Sequence, residues 1–362
     1  MNYYGLDCHS DNIKMVIFDA DGRFFRRMAV KLHTDSFQTW LASLTQDDYC
    51  ALEISTNSFM LYDRIRPLVK DCFILNAKKM PEIFSDTIKT DYRDAEKICE
   101  RLWLAVTKGL TDTNRFPTVF VPAKHIQILR KLFTSHLGLK QQIAKNKNII
   151  HSIVKQEGML LKKEAISKKS FRTSIEHMDL SMVAKKQINI FLSVITELEH
   201  SAGELEQLIL EQGAVLEKEV RILTSIKGVS VLGALAIMAD VADIRRFKTY
   251  KHFCSYLRTS PGLDASNKTI KVKHVNRSSR KLALHYLIQG IHHIKNSNPK
   301  MTALFERLRK GKSYGKSAIA VARHTMMHIY FMLRDGQYYY YRDIQNHETK
   351  MLNFKNMIEK AA

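Results

Sequence analysis

The sequence of 362 residues predicts a mixed α/β domain over 1–120, a long helical segment over 121–225 and a mostly α domain over 226–362. Three observations point there. In the first third, short apolar runs are separated by turn residues and then alternate with helical patterns. Over 123–155, almost no Gly or Pro interrupts an apolar pattern of three- and four-residue steps. The charge is split as well: 16 basic and 17 acidic residues in 1–120 (net −1), 16 and 11 in 121–225 (net +5), and 25 and 8 in 226–362 (net +17).

Taken in order, Asn2–Asp7 and Ile13–Asp19 are apolar runs separated by the polar stretch Cys8–Asn12. The turn Asp19-Ala-Asp-Gly22 leads into a third run, Arg23–Val30, and Asp-Gly between β-rich runs is a strong hairpin signal. Asp35 is expected to cap a helix carrying Phe37, Trp40, Leu41 and Leu44. Tyr49–Ile54 reads as a buried strand, Ser58–Val69 as a helix, Cys72–Leu75 as a strand and Asp91–Val106 as a longer helix. A meander of three strands followed by alternating helices and strands gives a mixed sheet covered by helices.

Beyond Ala123, the residues Ile126, Leu129, Leu132, Phe133 and Leu137 form one apolar stripe. Ser181–Ile222 carries a second, through Ile188, Leu192, Ile195, Leu205 and Val215, and the lysine-rich Leu160–Thr173 lies between them. Two amphipathic segments with a break suggest an antiparallel coiled coil or, equally, an ordinary helical bundle. In the last third, Ile226-Lys-Gly-Val-Ser-Val-Leu-Gly233 resembles the glycine turn of a helix-hairpin-helix, where N–H groups at a helix start can meet phosphate. Arg258–Lys281 is polar and basic and is expected to be irregular up to Ser279. Lys281–Lys295 and Lys316–Leu333 read as helices.

Hydrophobic residues make up 45% and charged residues 26%, as in an ordinary globular protein. No apolar run approaches the roughly 18–20 residues of a membrane span. The N-terminus has neither the basic n-region nor the apolar h-region of a signal peptide. Cys8, Cys50, Cys72, Cys99 and Cys254 are odd in number and widely spaced. They suggest reduced thiols rather than a disulfide framework or a zinc site. The net charge of +21, concentrated in the last third, predicts polyanion binding, with nucleic acid ahead of an anionic membrane surface.

Chemistry is concentrated in the acids of the near-neutral third. Asp7 ends the first strand, Glu53 stands near the end of a later one, and Asp91 and Asp94 share a face of the first turn of a helix. If the strands are neighbours, the four carboxylates converge at one sheet edge. Their repulsion is costly unless cations occupy the site, and hard divalent ions prefer carboxylate oxygen. Two such ions about 4 Å apart activate a nucleophile and stabilise a leaving oxygen in phosphoryl transfer. Plainer roles compete: Asp91 as a helix N-cap, Asp94 favoured by the helix dipole, Asp7 as a turn former. Glu53 in a buried run is harder to explain that way, because an unpaired buried carboxylate is strongly unfavourable.

Three strings resemble, in order and spacing, the acidic motifs of the DEDD transposases of insertion sequences, relatives of the Piv DNA invertases. They are Tyr4-Gly-Leu-Asp7-Cys-His, Ala51-Leu-Glu53 and Lys89-Thr-Asp91-Tyr-Arg-Asp94-Ala-Glu. In the last third, Ile226–Ala234, Asp243-Ile-Arg-Arg-Phe247-Lys, Phe253-Cys-Ser-Tyr256 and Ser260-Pro-Gly resemble the family's second, transposase-specific domain. The resemblance implies a RuvC-like, ribonuclease H-type nuclease domain in which Asp7, Glu53, Asp91 and Asp94 bind the catalytic Mg2+, two ions per active site. It also implies a serine nucleophile in a small-residue loop. By position this is Ser266, with Ser260 second. The family loop usually repeats serine and glycine, whereas Ala265 and Asn267 flank Ser266 here. Lys268, Lys271, Lys273, Arg277, Arg280 and Lys281 follow closely. With Arg245, Arg246 and Lys248 they are candidate nucleic-acid contacts, a solvated basic loop being the plainer reading.

A protein of that family is expected to recombine donor and target DNA through a serine–DNA covalent intermediate. It would act as a homodimer or homotetramer in which the nuclease domain of one subunit meets the serine domain of another. The resemblance further implies a structured noncoding guide RNA, a prokaryotic cytoplasm, association with the nucleoid and no membrane partner. The rival enzyme is a metal-dependent junction-resolving endonuclease that uses water as nucleophile. An architectural nucleic-acid-binding protein is the third reading, disfavoured because all four acids are present. His274, His285, His292 and His293 lack a metal-ligand spacing. Tyr338–Tyr341 is expected to pack on the preceding helix rather than stack on bases.

Overall fold

In a computed structural model, the chain forms two compact units, Met1–Val121 and Pro122–Ala362. The structure describes residues 1–76, 79–80, 91–111, 116–162, 165–266, 269–275 and 280–359, with the backbone alone at 169, 261–266 and 269–275.

Unit 1 is built on a five-stranded sheet of order β3-β2-β1-β4-β5. β1 (Tyr3–Cys8), β2 (Asn12–Phe18) and β3 (Phe24–Lys31) form an antiparallel meander, as the Asp-Gly turn predicts. β4 (Tyr49–Glu53) and β5 (Asp71–Leu75) run parallel to β1. Side chains alternate along a strand, so the sheet buries two faces. Tyr4, Leu6, Cys50 and Leu52 go to one core with Phe37 and Trp40 of α1 (Asp35–Ala42) and Leu61 of α2 (Ser58–Ile65). Tyr3, Val16 and Ala51 go to the other with Ile98 and Leu102 of α3 (Asp91–Thr107). Burial on both faces is why β1 and β4 read as nearly continuous apolar runs.

Two boundaries differ from expectation. Thr34, not Asp35, is the N-cap of α1, and Asp35 stands in the first turn, where the helix dipole favours a carboxylate. α2 ends at Ile65, short of Val69, because Pro67 cannot continue an α-helix; the chain passes into a 3-10 turn at Arg66–Leu68.

Unit 2 is helical apart from one hairpin. α4 (Lys124–Gln156) and α5 (Met182–Gly213) pack antiparallel: His136 meets Glu206, and Lys147, further along α4, meets Glu199, earlier in α5. Phe133 and Ile209 join the main core of the unit, whereas Ile143, Ile150, Ile188 and Ile195 form a second core at the far end of the pair. The second expected helix stops at Gly213, turns through Ala214–Leu216 and restarts as α6 (Glu217–Thr224). α7 (Val231–Val241) is apolar nearly all round, as a helix at the centre of a core must be. Around it lie α8 (Tyr250–Tyr256), α9 (Leu282–Asn296), α10 (Pro299–Arg309), α11 (Tyr314–Asp335) and α12 (Ile344–Glu359). α10 and α12 are elements the sequence reading does not anticipate.

The glycine turn between α6 and α7 serves packing. Gly228 has φ +97°, and a Cβ on Gly290 of α9 would fall 2.0 Å from the Gly228 carbonyl oxygen, so the two backbones touch. The stretch expected to be irregular contains a hairpin instead: β6 (Pro261–Ser266) pairs antiparallel with β7 (Thr269–Val275). Ile270-Lys271-Val272-Lys273 has the period of a strand, hidden by the basic residues at alternate positions. Of the four aromatics at 338–341, Tyr339 is buried and accepts from Asn298 Nδ2 at 2.5 Å, while Tyr340 is exposed. All five cysteines are free and buried. Among the described residues, no helix is long and apolar enough to cross a membrane.

Candidate active site

β1, β4 and α3 set the geometry. Gly5 is the point of closest approach, since a Cβ there would fall 2.2 Å from the Ala95 carbonyl oxygen. α3 therefore lies on the backbone of β1, and its first turn overhangs the carboxyl end of that strand. Cys99 Sγ donates to the Tyr3 carbonyl at 3.1 Å and fixes the helix there. Alternation puts Asp7 on the α3 face with Tyr3 and Gly5, and Glu53 on the same face with Ala51. Across the β1–β2 hairpin, Lys14 is the register partner of Asp7 and shares that face.

Asp7 is buried, 7% exposed. His9 Nε2 lies 3.2 Å from Asp7 Oδ2 and 3.3 Å from Asp91 Oδ2, and Lys14 Nζ lies 2.5 Å from Asp91 Oδ2. Burial pushes the Asp7 carboxyl above its ordinary range; His9 opposes this, and Asp91 and Asp94 reinforce it. Asp91 moves the other way, chiefly because Lys14 hydrogen-bonds it. One carboxylate is thus held in a reluctant, buried state beside another that a cation keeps ionised. Asp94 and Glu53 are half-buried.

These donors fit a divalent cation. One oxygen each of Asp7 and Asp91 and one nitrogen of His9 lie within 4.8 Å of one another. Carboxylate oxygen suits Mg2+ and Mn2+, and the imidazole raises affinity for the softer ions. Lys14 supplies the positive charge that offsets Asp91. Sequence reasoning passes over both His9 and Lys14. The signal that finds Lys14 is the hairpin register, with Cys8 opposite Ile13 and Asp7 opposite Lys14.

The candidates of the last third fall into several settings. Ser266 closes β6 opposite Thr269, and Ser260 stands just before the strand. Lys271 and Lys273 lie in β7, while Lys268 and Arg277 lie outside the described residues. Arg245 pairs with Asp243 at 2.8 Å, and Lys248 is exposed. Arg246 lies 4.3 Å from the ring centroids of both Phe247 and Tyr256 and donates to the Val241 carbonyl at 2.9 Å, so it ties the end of α7 to α8. Arg280 Nη1 is 3.8 Å from the buried Asp240, and Lys281 is the N-cap residue of α9.

Residues 220–306 match the transposase family described as IS116/IS110/IS902. The chain is 28% identical over 119 residues to an uncharacterised 43.6 kDa protein of insertion element IS110 from Streptomyces coelicolor, a stretch covering 33% of this chain and 29% of that protein. It is 20% identical over 251 residues to the transposase for insertion sequence element IS1533 of Leptospira borgpetersenii, covering 67% of this chain and 70% of the relative. Against the transposase for insertion sequence element IS1111A of Coxiella burnetii, identity is 22% over 265 residues, covering 69% and 68%. The family match falls on α6 to α10 with the hairpin between them, and the two long alignments extend the likeness over two thirds of the chain. The chain is therefore similar to insertion-sequence transposases over about two thirds of its length, with residues 220–306 matching the IS116/IS110/IS902 transposase family.

Proposed function

We propose that the chain is an insertion-sequence transposase, a DNA recombinase that cleaves strands at a RuvC-like, ribonuclease H-type acidic site and exchanges them through a serine. The observation that carries this reading is the meeting of buried Asp7 with Asp91 at the carboxyl edge of β1, in a chain related to transposases. Asp7, Glu53, Asp91 and Asp94 would hold Mg2+, two ions in the full site. Bound there, the metal supplies charge that offsets the phosphate and stabilises the departing oxygen.

The remaining work falls to the chain's own groups. Gly5 lets Asp91 overhang Asp7, Lys14 keeps Asp91 ionised, and His9 bridges the two carboxylates. The region of net charge +17 binds the DNA backbone. Ser266 provides the nucleophile: its Oγ–phosphorus bond forms as one phosphorus–oxygen bond of the strand breaks, and the released strand end takes the proton as a hydroxyl. The phosphoserine link conserves the bond for transfer to a second strand. Copies of the chain work as a homodimer or homotetramer, and a structured noncoding RNA selects donor and target DNA.

Metal-dependent cleavage tests the acidic site. Asp91→Asn is expected to abolish Mg2+-dependent strand cleavage and to weaken Mn2+ binding in calorimetry, with DNA affinity changed by no more than about twofold. Cleavage at the wild-type rate by Asp91→Asn rejects the assignment.

A further inference from the structure

Unit 2 contains a cleft of about 560 Å3 among α4, the end of α7 and the start of α9. Among the described residues, its charged lining is Arg130 of α4, Arg258 just before the hairpin, and Arg280 and Lys281 just after it, with the carboxylate of Asp240. That carboxylate is fully buried, and among the described residues its Oδ1 has no hydrogen-bond partner. Its Oδ2 accepts the Ala283 N–H at 2.9 Å, capping α9, and Arg280 lies 3.8 Å from its Oδ1. Arg130, 9% exposed, donates from Nε to the Ala239 carbonyl at 2.6 Å and from Nη2 to the Asp240 carbonyl at 3.3 Å. Burial, reinforced by repulsion from Arg280, brings its guanidinium down to about 10. Cations gathered this closely repel one another, which favours an anion seated among them.

Two residues at this cleft run against local preference. Arg258 has φ +58°, just beyond Leu257 at the C-cap of α8, a position where glycine is the unstrained choice. Gly138 stands in the interior of α4 with open space where its Cβ would lie, although alanine would favour the helix. The first choice keeps the cleft basic and the second keeps its wall open.

We infer that the cleft seats a backbone phosphodiester of a nucleic-acid strand, held by Arg258, Arg280 and Lys281 together with Arg130 of α4. Both strands of the hairpin are rooted beside it, since β6 begins at Pro261, shortly after Arg258, and β7 ends at Val275, shortly before Arg280. A strand seated there is presented to the hairpin that carries Ser266. The inference rests on the reading of the chain as a nucleic-acid enzyme and adds to it a binding site that includes Arg130 and Arg258.

Arg258→Gly is the informative variant, because it removes the charge and relieves the backbone together. The full chain is titrated by fluorescence anisotropy against a labelled DNA and an RNA of the same sequence, from about 50 to about 200 mM salt. Arg258→Gly is expected to keep a cooperative thermal melt, to bind about tenfold more weakly, and to show a log–log salt slope smaller by about one. Arg280→Gln is expected to give the same loss. A loss seen with DNA assigns the seat to the substrate strand, and one seen with RNA alone assigns it to a guide. Wild-type affinity and slope in both variants overturn the inference and leave the functional reading standing. A wild-type protein that binds neither polymer overturns both.

Discussion

Asp7 and Asp91 share His9 yet hold their protons with opposite tendencies, and that opposition has measurable consequences. The folded-state carboxyl of Asp7 lies above its ordinary value of 3.8, so its ionised form weakens the metal-free fold increasingly as pH rises through that region. Asp7→Asn is expected to raise metal-free stability at neutral pH by on the order of 1 kcal/mol, a gain of the kind found when a strained functional group is removed. The gain should fade below about pH 3.8, and Mg2+-dependent cleavage should be lost at every pH. Thermal melts in chelator check this, and a variant that melts below wild type at neutral pH contradicts it. Asp240 holds the start of α9 and pairs with Arg280. Asp240→Ala leaves Arg280 without its carboxylate and α9 without its cap, and should lower the unfolding free energy by about 3–5 kcal/mol in urea titrations.

At the scale of elements, the site depends on how closely α3 lies on β1. Gly5→Ala places a methyl against the Ala95 carbonyl and should cost ~1–3 kcal/mol. It should also move the first turn of α3 and depress cleavage although every acid is retained. Denaturant unfolding and a cleavage assay on the same preparation read the two effects. The α4–α5 pair makes a separate prediction. His136, then Lys140, holds the Glu206 carboxyl down at about 2 against an ordinary 4.5. A depressed carboxylate stabilises the fold above its unfolded value and loses that contribution as pH falls from about 4.5 toward 2. Glu206→Gln should therefore cost about 0.5–1 kcal/mol at neutral pH, the partial exposure of Glu206 limiting the effect, and nothing as pH approaches 2.

The sheet of unit 1 was largely legible in the sequence. The Asp19–Gly22 turn, the apolar runs and the breaks between them carry strand ends to within a residue or two, because burial on both faces leaves an unbroken apolar signal. The β6–β7 hairpin was not legible, because lysines at alternate positions of β7 make a strand look like a charged loop. The same limit applies within the site. Asp7, Glu53, Asp91 and Asp94 declare themselves as acids at element ends. His9 and Lys14 gain meaning only once the register of β1 on β2 and the seat of α3 on Gly5 are known.

Across the whole molecule, the charge split corresponds to two kinds of surface. Unit 1, with net −1 over residues 1–120, concentrates acids at one sheet edge, the site proposed above to hold a metal. Residues 226–362, with net +17, supply arginines and lysines around a cleft and a hairpin. The proposed function uses both, one to activate a phosphodiester and the other to hold the strand and take it over. The most direct test of that account is to incubate the protein with Mg2+ and DNA carrying the element's ends, and to resolve the products on a denaturing gel. The account predicts a covalent protein–DNA adduct that disappears in Ser266→Ala and in Asp91→Asn but persists in Ser260→Ala. Full strand cleavage by Ser266→Ala, with no adduct in the wild type, would contradict it and point to a nuclease that uses water.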